Sequence, residues 1–155
     1  MSHTLVKRIC DLLRDKDVGV NDPNRDRAAR GHEWIHWDYP RLTDREWPRI
    51  GVLWTTTSTE PVNIGATVYE DDIFVDIFIL SHRALKKGND FTNENAMEIS
   101  EDVSDAVELV LRSNLTTIKT WGNYHKAVIV GKRPVYDGDL VGQVVTFRVL
   151  FHHAG

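Results

Sequence analysis

The stretch Ile73-Phe74-Val75-Asp76-Ile77-Phe78-Ile79-Leu80 constrains the fold of this chain more than any other. Side chains alternate along a strand, so Ile73, Val75, Ile77 and Ile79 share one face while Phe74, Asp76, Phe78 and Leu80 share the other. Both faces are largely apolar. Such a strand predicts a central position in a sheet, covered on both sides. Neighbours are available on either side in sequence. Residues 49–57, after Pro48, read as a strand, and 58–63, with Pro61, read as a turn. An apolar run over 64–69 then completes a hairpin, with Glu70-Asp71-Asp72 expected as an acidic turn before the central strand.

Two helices frame these strands. Leu5, Ile9, Leu12 and Leu13 recur at helical spacing after Thr4, a candidate N-cap, and the stripe ends near 17–19. A second helix is expected over Asn93–Ser113, with Ala96, Ile99, Val103, Ala106, Val107 and Val110 on one side. Its opposite side carries Glu94, Glu98, Glu101, Asp102, Asp105 and Glu108, offset only by Arg112. That arc is either a solvated face or a surface that lines a channel or docks a basic neighbour. The last third alternates over 116–121, 126–130 and 141–152, with Asp137-Gly138-Asp139 as a turn. Val145, Phe147, Val149 and Phe151 share one face of the final strand. The expected class is α+β: one domain over 1–155, with an antiparallel or mixed sheet and two main helices packed against it. Between the first helix and the first strand lies a long connector, 20–48, broken by Pro23, Gly31, Pro40 and Pro48. It holds Trp34, Trp37, Tyr39 and Trp47, large anchoring rings that are candidate interface residues.

Composition narrows the function classes. The chain has 155 residues and a formal net charge of −4. Between Glu70 and Glu108 there are eleven acidic residues against three basic ones, Arg83, Lys86 and Lys87. Phosphate contact needs positive charge, so a nucleic-acid-binding face is not expected there. No glycine-rich phosphate loop is present, and no cofactor is implied. Cys10, the single cysteine, sits in the apolar stripe of the first helix and reads as a small core residue. The N-terminal segment is charged every few residues, without a run suited to a signal peptide or membrane span.

One motif points to enzymatic chemistry. His32-Glu33-Trp34-Ile35-His36 satisfies H-E-x-x-H, which on a helix places two zinc-binding imidazoles beside a general-base carboxylate. A helix here starts after Gly31 and stops before Pro40, and no third ligand stands at a recognisable spacing. A small zinc-dependent hydrolase using His32, Glu33 and His36 is therefore the alternative reading, alongside an interaction or adaptor domain. His152-His153 reads as a solvated strand end.

The order of elements resembles the tail-terminator or tail-completion proteins of tailed viruses. The resemblance is carried by the opening helix through Leu13, the run Pro48-Arg49-Ile50-Gly51-Val52, the strand Asp72-Ile73-Phe74-Val75-Asp76-Ile77, the helix Asn93–Ser113 and the closing strand over 142–151. It implies a structural virion protein, not an enzyme, that forms a hexameric ring at the head–tail junction. Its implied partners are the tail-tube protein and a head-completion or neck protein, with DNA passing through the channel without sequence-specific binding. The acidic arc from Glu94 to Glu108 becomes a candidate channel or docking face, and the loops at 55–63 and 80–90 become contacts to the rings above and below. The connector is longer and richer in tryptophan than the family pattern.

Overall fold

A computed structural model describes residues 2–16, 35–40, 48–83, 86–87, 90–91 and 93–154. The elements run α1 (Ser2–Asp15), β1 (Ile35–His36), β2 (Arg49–Pro61), β3 (Val68–His82), β4 (Lys86–Lys87), β5 (Asp90–Phe91), α2 (Asn93–Ser113), α3 (Leu115–Thr120), β6 (Lys126–Asp137) and β7 (Leu140–Ala154). The main sheet has the order β1-β2-β3-β7-β6, with β1 parallel to β2 and the other pairs antiparallel. The expected α+β class holds, and β3 occupies the centre as its alternation requires. β4 and β5 form a separate two-stranded ladder.

One face of the sheet makes the core. Ile73, Val75, Ile77 and Ile79 of β3 and Val145, Phe147 and Val149 of β7 are buried against Leu5, Ile9, Cys10 and Leu13 of α1, Val103, Val107 and Leu111 of α2, and Ile118 of α3. Burial at this scale is the main stabilising term, since each such side chain contributes about 1.5–3 kcal/mol on leaving water. Cys10 is fully buried, as its place in the stripe predicts.

The other face differs from expectation. Among the described residues no second layer covers it. Only its end near Leu80 is closed, where Leu80 and Leu140 pack with Tyr39, Phe78 and Val135. Gly51 allows this closure, because a Cβ there would run into the Asp38 carbonyl and lie 2.8 Å from Pro40 Cδ. The rest is a polar ladder. Arg148 donates two 2.7 Å hydrogen bonds to Asp72 and lies 5.5 Å over the Phe74 ring. Thr146 donates to Asp76 at 2.7 Å. These polar pairs span neighbouring strands, so this face tolerates water.

Four boundaries also move. β3 runs unbroken through Glu70-Asp71-Asp72, so the acidic triplet is strand, and the hairpin turn falls at 62–67. Where strand is expected over 116–121, Leu115–Thr120 form α3 and bury Ile118. β6 continues to Asp137 across a bulge between Ile129 and Gly131. α1 begins at Ser2, before the candidate cap Thr4. The turn after Asp137 is where the sequence places it, with Gly138 at φ +59. Among the described residues no helix is long and apolar enough to cross a membrane.

Candidate functional site

The acidic face of α2 is built by helical period alone. Ala96, Ile99, Val103, Val107 and Leu111 turn into the core, which leaves Glu98, Glu101, Asp102 and Asp105 exposed. Glu94 belongs to the same helix, but its side chain lies outside the described residues. Arg112 is not the sole counter-charge, as the sequence suggested. Lys132 of β6 reaches across to Asp105 at 2.8 Å and Glu108 at 4.0 Å. Partial burial opposes its charge, but the Asp105 hydrogen bond and the attraction of Glu108, Asp105 and Glu101 outweigh that and raise its pKa. The arc is thus anchored by Lys132 at its Asp105–Glu108 end, with Glu98, Glu101 and Asp102 solvent-exposed.

A second feature is the β2–β3 hairpin beyond the core. Its turn is self-contained. Asn63 Oδ1 accepts from the Thr67 and Val68 amides at 3.0 and 3.4 Å, and the Val62 amide donates to the Val68 carbonyl at 2.9 Å. Ala66 takes φ 50 to close it. That geometry projects Ile64 fully into solvent, with Val62, Val68 and Trp54 also exposed on the hairpin. The third feature is the outer edge of β6, which pairs with no strand among the described residues and exposes Val130 and Tyr136. Pro134 lies in this strand, the position where a missing amide donor is tolerated.

The connector residues singled out by sequence separate into two groups. His32, Glu33, Trp34 and Trp47 lie outside the described residues. His36 lies on β1 beside Gly51, so the last two residues of the H-E-x-x-H motif are strand, and the helical i, i+4 geometry of a zincin is lost. Trp37 is partly exposed, its ring tilted by 31° against that of His36 with centroids 4.2 Å apart and Lys7 Nζ 5.4 Å from its ring. Tyr39 is engaged within the chain. Its hydroxyl donates to Asp137 at 2.7 Å and its ring meets Phe78 edge-on at 5.0 Å. Burial, the Asp137 hydrogen bond and the negative charge of Asp137 all raise its pKa.

One constellation is not visible in the sequence. Glu70 of β3 and His152 of β7 are direct cross-strand partners, and His125, just before β6, leans onto the same carboxylate. Nε2 of His152 lies 2.9 Å from Glu70 Oε2 and Nε2 of His125 lies 3.4 Å from it. The two imidazole centroids are 4.0 Å apart. Next to them, His153 contacts Asp71 at 3.0 Å. Burial opposes the Asp71 charge, but hydrogen bonds from Thr59 and His153 more than offset it and lower the carboxyl pKa. His153 is raised, first through the Ala154 carbonyl and then through Asp71. The His152-His153 doublet is the only sequence signal for this site, and it says nothing of Glu70 or His125.

A scan of the chain against protein-family models finds no match, and a search of curated protein sequences finds none.

Proposed function

We propose that this protein is a ring-forming structural subunit of the tail-terminator type, placed at the head–tail junction of a tailed virus. The observation that carries the reading is the β2–β3 hairpin, which leaves the helix-covered core and presents Val62, Ile64 and Val68 to solvent around a turn fixed by Asn63. An apolar tip on a stiff ribbon gains nothing for the isolated fold and suits docking onto an adjacent ring. The open edge of β6 suits lateral contact with a second copy, and head-to-tail contacts of that kind close into a ring when the rotation allows. Six copies is the subunit number that the resemblance implies. Chemistry is not required of such a part; its work is geometric.

The acidic run Glu98–Glu101–Asp102 on α2 supports the same reading. Carboxylates beside a channel repel phosphates and let DNA slide. In that arrangement the ring caps the last tail-tube ring on one side and meets a head-completion or neck protein on the other.

Native mass spectrometry with negative-stain microscopy tests this. The expected result is a closed homo-oligomeric ring that limits tube length when mixed with the tail-tube protein of the same genome. A monomer at all concentrations that leaves tube growth unaltered overturns the reading and favours an adaptor domain.

A further inference from the structure

We propose that Glu70, His125 and His152 form a binding site for one divalent transition-metal ion of the zinc class. The donor set is two imidazole nitrogens and a carboxylate oxygen. That suits Zn2+ and its borderline neighbours, and supplies too few oxygens for Mg2+ or Ca2+. Spacing agrees with the donor types. With tetrahedral bonds of about 2.0–2.2 Å, ligand atoms sit roughly 3.4 Å apart. Here the two Nε2 atoms lie 2.9 and 3.4 Å from Glu70 Oε2, and one donor atom from each residue lies within 4.8 Å of the other two. Small side-chain rotations bring all three onto one ion.

The backbone beneath the site is already fixed. Glu70 and His152 face each other in the β3–β7 ladder. The His125 amide donates to the Leu150 carbonyl at 3.0 Å, and the preceding Tyr124 amide donates to Lys119 at 2.9 Å. The two imidazole rings are held 4.0 Å apart, and Glu60 stands opposite Glu70 in the β2–β3 register, bringing a second carboxylate alongside. A divalent ion at this point offsets both acids. Three protein ligands leave the fourth position to water. The consequence is mechanical: the ion ties β3 to the start of β6 across β7. This site does not rest on the proposed ring function.

The test is zinc titration of the purified, EDTA-stripped full chain at pH 7.5 by calorimetry, with bound metal counted by mass spectrometry and Co2+ substitution to read coordination geometry. One equivalent of Zn2+ is expected, with a tetrahedral Co2+ spectrum. Zinc at 100 times its Kd should raise the melting temperature by roughly 5–10 °C. His152→Ala and His125→Ala should each weaken binding by more than about 100-fold, because each removes a direct ligand. His36→Ala should leave it unchanged. Both site residues are partly exposed, so the variants should fold, and their metal-free melting temperatures check that. Absence of saturable zinc binding overturns the proposal. So does binding that survives both site variants, or binding that disappears in His36→Ala.

Discussion

Two glycines on the β6–β7 hairpin make a matched test of how tightly the sheet is closed. A Cβ added at Gly131 would meet nothing within 4 Å. A Cβ added at Gly142 would fall on the Ile79 carbonyl oxygen and lie 2.9 Å from Ile79 C and Leu80 Cα. Those are backbone atoms and cannot rotate aside, so Gly142→Ala must force β3 and β7 apart where Leu80 pairs with Gly142 and Ser81 with Val141. Loss of two ladder bonds costs about 2 kcal/mol at roughly 1 kcal/mol each. Loosening Leu80 and Leu140, exposed by only 0% and 2%, adds about 1–3 kcal/mol. The expected total is about 3–5 kcal/mol, a large part of a typical stability of about 5–15 kcal/mol. Gly131→Ala should be neutral or stabilise by up to about 1 kcal/mol through the unfolded chain. Urea unfolding followed by far-ultraviolet circular dichroism reads both. At an m-value of about 2 kcal/mol/M, the Gly142→Ala midpoint should fall by about 2 M. A Gly142→Ala protein within 0.5 kcal/mol of wild type, a margin of about the size seen at neutral surface sites, would refute the close strand approach.

Three further outcomes are expected. In the proposed six-membered ring, Ile64→Lys should change unfolding stability by no more than about 0.5 kcal/mol yet abolish capping of tail tubes, since about 2 kcal/mol lost at each of six contacts acts on the whole ring; unaltered tube lengths in microscopy would count against the hairpin as the docking element. Burial pushes the Cys10 thiol from 9.0 up to about 12, so it should resist thiol reagents at pH 8 until the chain unfolds; between pH 9 and about 12 the unfolded state releases that proton first, so stability should fall as pH rises, with Tyr39 and Tyr124 acting in the same sense. A Lys132→Ala and Asp105→Ala double-mutant cycle should return a coupling of about 0.5–1 kcal/mol that shrinks in 1 M salt, and a coupling of zero would remove Lys132 as the anchor of the acidic arc.

The parts of the fold legible in the sequence are those specified by local period. Ile73, Val75, Ile77 and Ile79 declare a central strand because each alternate residue repeats one message, and the stripe from Ala96 to Val110 does the same for α2. The misread segments are those whose reasons lie far away along the chain. Glu70, Asp71 and Asp72 look like a turn until their partners are known to be His152, His153 with Thr59, and Arg148. The β-branched 116–120 segment looks like strand, but burying Ile118 in the helix-side core outweighs its modest strand preference. For the same reason the Glu70–His125–His152 cluster was illegible: it exists only through the β3–β7 register and the His125 amide bond to Leu150.

The sheet is held differently at its two ends, and this has a dynamic consequence. β3 and β7 each span 15 residues, whereas the helix-side core fully buries β3 no further out than Ile73 and β7 no further than Val149, with Phe151 half-buried beyond it. Beyond that line the ladder rests on polar cross-strand pairs, each worth about 0.2–1 kcal/mol. Local opening free energy should therefore fall along one strand, and amides at 145–149 should exchange far more slowly than those at 68–72 and 151–154. Zinc supplies the missing clamp, so it should slow the distal amides selectively and leave the core amides on their original rates. Uniform slowing along β7, or none, would show that the distal end is not an independently opening unit.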